Sequence, residues 1–290
     1  DCDLVYLGTS GRDTIALYTT LRQLGVTAPI VGNMVSYLPV VATAAGGAMD
    51  GLYVVTPVVD ADWKNADAFQ ADFVARYVEK GPRAFMPGQP GVLQMAGVLL
   101  AERVPDDGHV LVVGAGGGLD TQALAKAGPG WRFTGVDPAA TMLDLARHVL
   151  GEETMRRVEL IKGGVEAAPE GPFDGATLIL VLGILPDDGS KLATLKDIRR
   201  RLKPGAPFIL VDRCDSADNP LFDRNMDRYV AFAAANGVDP ETLKTARASH
   251  RGNPGLVTAA RDEALLAEAG FTDIEDFYYA MNWHGWVAYA

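Results

Sequence analysis

The chain has 290 residues, of which 48% are hydrophobic and 22% are charged. These fractions are typical of globular proteins and exclude a chain that is disordered along its whole length. Two cysteines and four histidines are too few for a disulfide scaffold or a Cys/His zinc site, so we expect no metal. The net charge of −11 argues against a nucleic-acid partner, because nucleic-acid binding needs a basic surface.

The sequence does not open with the basic and apolar stretches of a secretory signal. No apolar run reaches the roughly 20 residues that are needed to cross a bilayer. We therefore expect a soluble, cytoplasmic protein without a membrane contact.

The first 81 residues alternate between strand and helix patterns. This order predicts a small parallel sheet that is flanked by helices. The predicted strands are Leu4–Leu7, Pro29–Val31 and Leu52–Val59, and the predicted helices are Arg12–Leu24, Tyr37–Ala45 and Asp60–Lys80.

Two stretches of this segment resemble the type I periplasmic binding proteins for branched-chain amino acids. They read "LVYLGTSGRDTIALYTTLRQLGVTAPIVGN" and "GLYVVTPVVDADWKNADAFQADFVARY". The resemblance covers about half of one lobe, and Met34 stands near the place where that family binds the ligand's amine with a carboxylate. It therefore implies the fold of a partial lobe and no ligand. Gly81-Pro82 and the Pro/Gly-rich 87–91 place the boundary, giving domains 1–81 and 82–290.

A glycine-rich loop carries the first chemical signal of the second domain. The apolar strand His109–Val113 runs into Gly114-Ala115-Gly116-Gly117-Gly118, and the helix Leu119–Ala127 follows at once. Glycines admit a ligand to the backbone, and a helix start offers unpaired amides. The dinucleotide pattern G-x-G-x-x-G needs a glycine where Leu119 stands, so the loop favours an adenosine ligand other than NAD.

Asp137 is the second signal. It ends the next predicted strand, Trp131–Val136, where a carboxylate can accept hydrogen bonds from ribose hydroxyls. Capping of the helix that Pro138 begins is the simpler explanation. Together with the glycine loop, however, Asp137 favours ribose binding.

Further strands and one helix complete an alternating pattern, and the last two strands are predicted to pair in antiparallel fashion. The predicted strands are Val158–Ile161, the run 175–182, Phe208–Asp212, Phe271–Phe277 and Trp286–Tyr289, and the helix is Asp188–Leu202.

This order resembles the class I S-adenosylmethionine-dependent methyltransferases, of the broad type 12 kind. The stretches that carry the resemblance are "VLVVGAGGGLDTQALA", "FTGVDPAATMLDLAR", "GPFDGATLILVLGILP", "IRRRLKPGAPFILVD" and the C-terminal "LLAEAGFTDIEDFYYAMNWHGWVAYA". The resemblance covers 82–290. It implies a Rossmann-like sheet, parallel with an antiparallel last strand, and a helical cap inserted at about 214–256.

The resemblance also implies S-adenosylmethionine as the cofactor and S-adenosylhomocysteine as its product. The glycine loop would wrap the methionine part, Asp137 would bind the ribose, and the remaining residues would line the adenine and the sulfonium. The implied cofactor residues are Gly114, Ala115, Gly116, Gly118, Asp137, Pro138, Met142, Gly164, Val165, Val181 and Leu182. Two positions depart from the family, since Val112 and Gly164 stand where acidic residues are common.

The acceptor pocket should lie above the carboxyl ends of the strands, between the segment before the first strand and the cap. The candidate substrate residues are Phe85, Met86, Gln94, Phe222, Met226, Tyr229, Tyr279 and Trp283. His284 is the candidate base, with His250 as a second choice, although a lone histidine is more often structural.

Methyl transfer from S-adenosylmethionine to a small molecule is thus the leading hypothesis. A cofactor-binding sensor or interaction protein without turnover is the alternative. The run Arg199-Arg200-Arg201 is better explained by the dipole of a helix end than by RNA. The acceptor, the methylated atom and the oligomeric state stay open, with a homodimer as one expectation.

Overall fold

A computed structural model describes residues 5–7, 12–28, 30–32, 52–54, 66–251 and 253–290. The chain divides into two compact units, Asp1–Ala71 and Asp72–Ala290.

The first unit contains a three-stranded parallel sheet in the order β1-β2-β3. Its elements are β1 (Val5–Leu7), α1 (Arg12–Gln23), β2 (Ile30–Gly32) and β3 (Leu52–Val54). The Arg22 side chain closes the turn after α1 by donating to the carbonyls of Val26 and Ala28, at 2.7 and 3.0 Å. The predicted helix Tyr37–Ala45 and Met34 lie outside the described residues.

Two helices precede the large sheet. Helix α2 (Ala66–Phe85) carries Pro82 and has non-helical backbone angles at Gly81, so the predicted boundary at Gly81-Pro82 falls at a kink inside one helix. Helix α3 (Gln89–Ala101) starts after Gly88, whose φ of 67° suits glycine, and has a proline in its first turn.

Seven strands form the sheet of the second unit, in the order β6-β5-β4-β7-β8-β10-β9. Strands β4 to β8 are parallel, and β10 is antiparallel to both β8 and β9. This confirms the predicted Rossmann-like fold class. The strands are β4 (His109–Val113), β5 (Arg132–Asp137), β6 (Val158–Lys162), β7 (Gly175–Ile179), β8 (Pro207–Arg213), β9 (Thr272–Ala280) and β10 (Trp283–Tyr289).

Helices cover both faces of this sheet. Buried residues of α3, α4, α5 and α7 share one core, and those of α6 and α9 share the other. The remaining helices are α4 (Leu119–Ala127), α5 (Ala140–Met155), α6 (Ser190–Arg200), α7 (Phe222–Ala235), α8 (Pro240–Arg251) and α9 (Ala259–Glu268). Helices α7 and α8 lie in the predicted cap insertion.

Several strand boundaries differ from the sequence prediction, and two of the differences bear on the site. The fourth strand of the pattern was predicted to reach Leu182, but β7 ends at Ile179 because Leu180 adopts a φ of 62° and a short 3-10 helix follows at Leu182–Ile184. The last strand starts at Trp283 and not at Trp286, because Trp283 pairs with Arg213 of β8.

The sheet order reverses at β4. From β4 the chain builds outward through β5 and β6, then returns to place β7 on the other side of β4. Val113 pairs with Val136 on one side and with Leu178 on the other. The loops after β4, β5 and β7 therefore meet at one edge, which is where open α/β sheets bind ligands.

Candidate functional site

The loop after β4 has the backbone that its glycines suggest. Gly114, Gly116 and Gly118 have φ angles of 74°, 49° and 85°, a region that L side chains rarely adopt. The amides of Gly114 and Ala115 donate to the Val136 carbonyl at 2.8 and 2.9 Å, which fixes the loop against β5. Helix α4 starts directly after Gly118, so the unpaired amides of its first turn lie beside the loop.

Asp137 ties this loop to the helix after β5. Its Oδ2 accepts from the Gly116 amide at 2.9 Å, and its Oδ1 accepts from the Ala139 amide at 2.8 Å. A carboxylate oxygen has two lone pairs, so both oxygens keep acceptor capacity for a pair of hydroxyls. The predicted capping by Asp137 is not seen, because α5 begins at Ala140 after the N-cap residue Ala139 and has no side-chain cap.

Open space lies above Gly116. A side-chain carbon built there would meet only the Gly114 carbonyl at 3.7 Å and the Met142 Cε at 3.9 Å. Met142 is half-buried and Pro138 is exposed beside it. The loop, the Asp137 carboxylate and the Met142 side chain thus bound a cradle that a ligand can enter.

The residues after β6 contribute mainly backbone atoms to the candidate cofactor site. The Gly164 amide donates to Glu166 Oε1 at 2.9 Å, which brings a carboxylate beside a position that lacks one. Val165 is buried in the core at 6% exposure, so its side chain supports the loop from beneath.

Tyr77 covers the glycine loop, and sequence analysis missed it. A carbon built on Gly117 would lie 2.4 to 2.6 Å from the ring and hydroxyl of Tyr77. Burial and the nearby Asp120 carboxylate raise the pKa of Tyr77 to about 12, so the hydroxyl keeps its proton. Tyr77 ends the second stretch that resembles the periplasmic binding proteins, so the sequence assigned it to the first domain and gave no signal of a role at this loop.

The loop after β7 approaches the glycine loop closely. A carbon built on Gly114 would lie 2.2 Å from the Val181 Cγ2. The Leu182 side chain is fully buried, and its carbonyl accepts from the Lys191 ammonium at 2.8 Å. Leu180 is a leucine at positive φ, a strained conformation that is concentrated at functional sites.

Most of the predicted substrate residues come together under the cap, in a group that we call the cap cluster. Its central ring, Tyr229, is stacked with Phe85 at 5.7 Å and lies 6.4 Å from Trp283. The members of the cap cluster are Phe85, Met86, Phe222, Met226, Tyr229 and Trp283.

The structure places the two candidate histidines differently. His250 packs against Tyr229 at 5.0 Å, and its Nδ1 is 2.6 Å from the Ala246 carbonyl, which leaves Nε2 as the nitrogen for other partners. Burial lowers the pKa of His250, so its ring is neutral near pH 7. His284 instead packs between Tyr279 and Trp286, at 4.7 and 5.5 Å.

A buried polar network supports the loop after β7, on the face of the sheet opposite to the cap cluster. Lys191 is fully buried, and its ammonium lies 3.5 Å from the Asp262 carboxylate. Asp212 accepts from the Gly183 amide at 2.5 Å, and the Cys214 thiol lies 3.5 Å from Asp262 Oδ2. We call Lys191, Asp212, Cys214 and Asp262 the Lys191 network.

The Lys191 network should make stability depend on pH. Burial and the nearby Asp212 raise the pKa of Asp262 from 3.8 to about 7, against the opposing effect of Lys191. Because the pKa of Asp262 is raised in the folded state, folding favours the protonated carboxyl. The stability that this provides is fully present below the pKa of Asp262 in the unfolded chain and is lost as the pH rises through about 7. We expect the Tm to fall between about pH 5 and about pH 8, and Asp262→Asn to flatten that slope. If thermal denaturation shows that the Tm falls equally steeply with pH in the wild type and in Asp262→Asn, this assignment is contradicted.

The glycine cradle, the carboxylate and the strand order are the features that the sequence resemblance predicted. The family described as a methyltransferase domain matches residues 110–205. Over these residues the chain is similar to S-adenosylmethionine-dependent methyltransferases.

Curated relatives align with most of the chain. A carboxy-S-adenosyl-L-methionine synthase of Pseudomonas fluorescens (strain SBW25) is 29% identical over 230 residues, or 76% of this chain and 92% of that protein. The synthase of Chromohalobacter salexigens is 27% identical over 210 residues, or 71% and 77% of the two chains.

A solved structure supports the fold of the large sheet and its helices. An O-methyltransferase family protein from Burkholderia thailandensis superposes with a TM-score of 0.54 at 13% identity. The match covers 77% of this chain and 60% of that chain, so this chain spans less than two thirds of the solved protein. These matches do not address the resemblance of 1–81 to periplasmic binding proteins.

The residues around the glycine loop fit S-adenosylmethionine. The space above Gly116 admits the cofactor's backbone-bound part, and the free lone pairs of Asp137 suit the two ribose hydroxyls. Within the described residues, no group of three or more acidic, His or Cys side chains is arranged to hold a metal ion. No described helix has the length and apolar character that a membrane span requires.

Two predicted substrate residues lie apart from the cap cluster. Gln94 lines a groove on the outer side of α3 and α4, next to Val98 and Lys126. Tyr279 is 69% exposed on the edge strand β9. The arginine run near the end of α6 is engaged in internal contacts, since Arg200 and Arg201 both pair with Asp197.

Proposed function

We propose that this protein is an S-adenosylmethionine-dependent methyltransferase, which transfers a methyl group to a small-molecule acceptor held between the β7–β8 edge and the cap helices. One observation carries the proposal. The cradle at Gly116 and the buried aromatic cap cluster stand at the same edge of one sheet. S-Adenosylmethionine supplies an activated methyl group when bound, so the protein's task is alignment and exclusion of water.

The chain's own residues divide this task. The glycine loop and Asp137 would hold the cofactor, with Tyr77 closing over Gly117. Phe85, Tyr229 and Trp283 form an apolar wall that would exclude water from the acceptor. The cytoplasmic location, the homodimer and the absence of a nucleic-acid partner stay predictions of the sequence.

Calorimetric titration with S-adenosylmethionine and S-adenosylhomocysteine tests the cofactor site. We expect the wild type to bind both, and Asp137→Ala to bind at least about tenfold more weakly, since hydrogen bonds to a charged group are worth roughly 1.5–3 kcal/mol. Asp144→Ala is the matched control, because Asp144 is an exposed carboxylate on α5 that pairs with Arg147. A wild type that binds neither compound would contradict the proposal.

A second candidate is the formation of a carboxylated S-adenosylmethionine. The similarity to proteins named carboxy-S-adenosyl-L-methionine synthase favours it. Mass spectrometry of the adenosyl products separates the candidates. S-Adenosylhomocysteine together with a methylated acceptor indicates methyl transfer, a carboxylated cofactor indicates the synthase reaction, and unchanged cofactor that is nevertheless bound indicates the sensor.

A further inference from the structure

Arg213, the last residue of β8, is a buried charge without a hydrogen-bond or ion-pair partner among the described residues. It is 3% exposed, and none of its three guanidinium nitrogens has a hydrogen-bond partner among the described residues. Nor does any described carboxylate lie within ion-pair distance of it. Burial of an unpaired charge is expensive, and proteins keep such groups mainly where they serve a function.

The two carboxylates nearest to Arg213 in sequence are engaged elsewhere. Asp215 accepts from the side chains of Asn219 and Asn225, at 2.8 and 3.2 Å. Asp212 accepts from the Gly183 amide and from the backbone amide of Arg213. The guanidinium therefore keeps all five of its N–H donors for another acceptor.

Aromatic rings of the cap cluster enclose this guanidinium. Its Cζ lies 4.8 Å from the centre of the Tyr229 ring, and Trp283 is its register partner on β10. His250 and Phe85 pack on the same Tyr229 ring. A guanidinium that is enclosed by aromatic rings suits a planar molecule with an anionic end.

Arg213 also stands where an acceptor must lie. Val211 of β8 pairs with Ile179, and its carbonyl accepts from the Leu180 amide at 2.8 Å. Arg213 extends two residues beyond that point, at the carboxyl edge that carries the glycine loop. On this geometry we propose that Arg213 binds the carboxylate of the methyl acceptor, which is a planar monocarboxylic acid. The inference rests on the proposed function, because it names the substrate class of the same site.

The charges around Arg213 favour a carboxylate over a phosphate. Guanidinium pairs bidentately with both groups, so geometry does not separate them. Asp212 and Asp215 are close enough to act on the Arg213 charge, and they would repel a dianionic phosphate more strongly than a monoanion. Since all three nitrogens are buried, the acid reaches Arg213 only when α7 or α8 moves away from it.

The test compares acids with their uncharged amides. Benzoate, cinnamate and indole-3-acetate, each beside its carboxamide, are titrated into the protein saturated with S-adenosylhomocysteine. We expect at least one acid to bind the wild type at least about tenfold more tightly than its amide, as a hydrogen-bonded charge pair allows. Arg213→Met should abolish that preference and Arg213→Lys should keep part of it. Arg224→Met, an exposed arginine of α7, should keep all of it.

Two outcomes would overturn the assignment. One is equal binding of every acid and its amide by the wild type, and the other is an unchanged preference in Arg213→Met. Binding of S-adenosylhomocysteine, measured first on each variant, separates this failure from failure of the proposed function. The ligand-free Arg213→Met protein should also melt at a higher temperature than the wild type, because an unpaired buried charge is removed.

Discussion

Lys191→Met should lower the free energy of unfolding by about 3–5 kcal/mol at neutral pH, the usual cost of removing one partner from a buried ion pair. Lys191 is fully buried, and its ammonium contacts the Asp262 carboxylate and the Leu182 carbonyl. Without it, the buried carboxylates of Asp262 and Asp212 would lose the ammonium that offsets their charges. Denaturant unfolding, with the midpoint and slope fitted together, measures the loss.

Lys196→Met is the matched control, because Lys196 lies on the same helix but is exposed. It should change stability by less than about 0.5 kcal/mol. The double variant Lys191→Met/Asp262→Leu should recover much of the loss, since replacing a buried pair with apolar groups is often neutral. If Lys191→Met and Lys196→Met have equal unfolding midpoints, the role of Lys191 is contradicted.

The loss in Lys191→Met should also shrink in acid. The pKa values of Asp262 and Asp212 are raised by burial, and removal of the ammonium raises them further. Below those values both carboxyls are neutral, so no unpaired charge stays in the core. A loss of stability that is as large at about pH 5 as at about pH 8 would assign the cost to packing and not to charge.

The sequence predicted those parts of the fold that depend on local pattern. The predicted β4 and α4 have the bounds that the structure shows, His109–Val113 and Leu119–Ala127. A strand buried on both faces appears as an apolar run, and the glycine loop ends it sharply. The same rule failed at β7, because the apolar run continues past the point where Leu180 turns the backbone.

The cofactor side of the site was predictable for the same reason. Gly116 lies in the loop directly after β4, and Asp137 is the last residue of the neighbouring β5, so short motifs identify them. Arg213 and Tyr77 were missed because their roles depend on contacts distant in sequence. Arg213 acquires its surroundings from the pairing of β8 with β10 and from the cap, and no local pattern distinguishes it from a surface arginine at a strand end.

The predicted substrate residues include both kinds, some that a local pattern predicts and some whose position depends on long-range packing. Helical spacing correctly predicted that Phe222, Met226 and Tyr229 share a buried face, since that face is a property of one helix. Gln94 lies in the segment before the first predicted strand of the second domain, and Tyr279 lies among aromatic residues near the C-terminus. Their exposure is decided by the rotation of α3 and by the edge position of β9, which long-range packing determines.

Gly114→Ala should disable the cofactor loop. The φ of 74° costs a side chain roughly 1–2 kcal/mol. The new Cβ would also lie 2.2 Å from the Val181 Cγ2 and 3.3 Å from its Cβ, so it must move the loop away from the end of β7. Such overpacking typically costs about 1–3 kcal/mol more. Because the methyl group must be aligned in line with the acceptor, we expect the rate of S-adenosylhomocysteine formation to fall by on the order of 100-fold.

Gly88→Ala isolates the steric part of this effect. Gly88 has a φ of 67°, close to that of Gly114, but a Cβ there meets nothing within 4 Å. Gly88→Ala should therefore be destabilised only by the cost of the strained backbone angle, and it should keep full cofactor affinity. The double variant Gly114→Ala/Val181→Ala should regain part of the rate and of the calorimetric affinity, because it removes the closest contact and leaves the strained φ. If Gly114→Ala and Gly88→Ala bind S-adenosylhomocysteine equally well, the loop does not form the cofactor cradle.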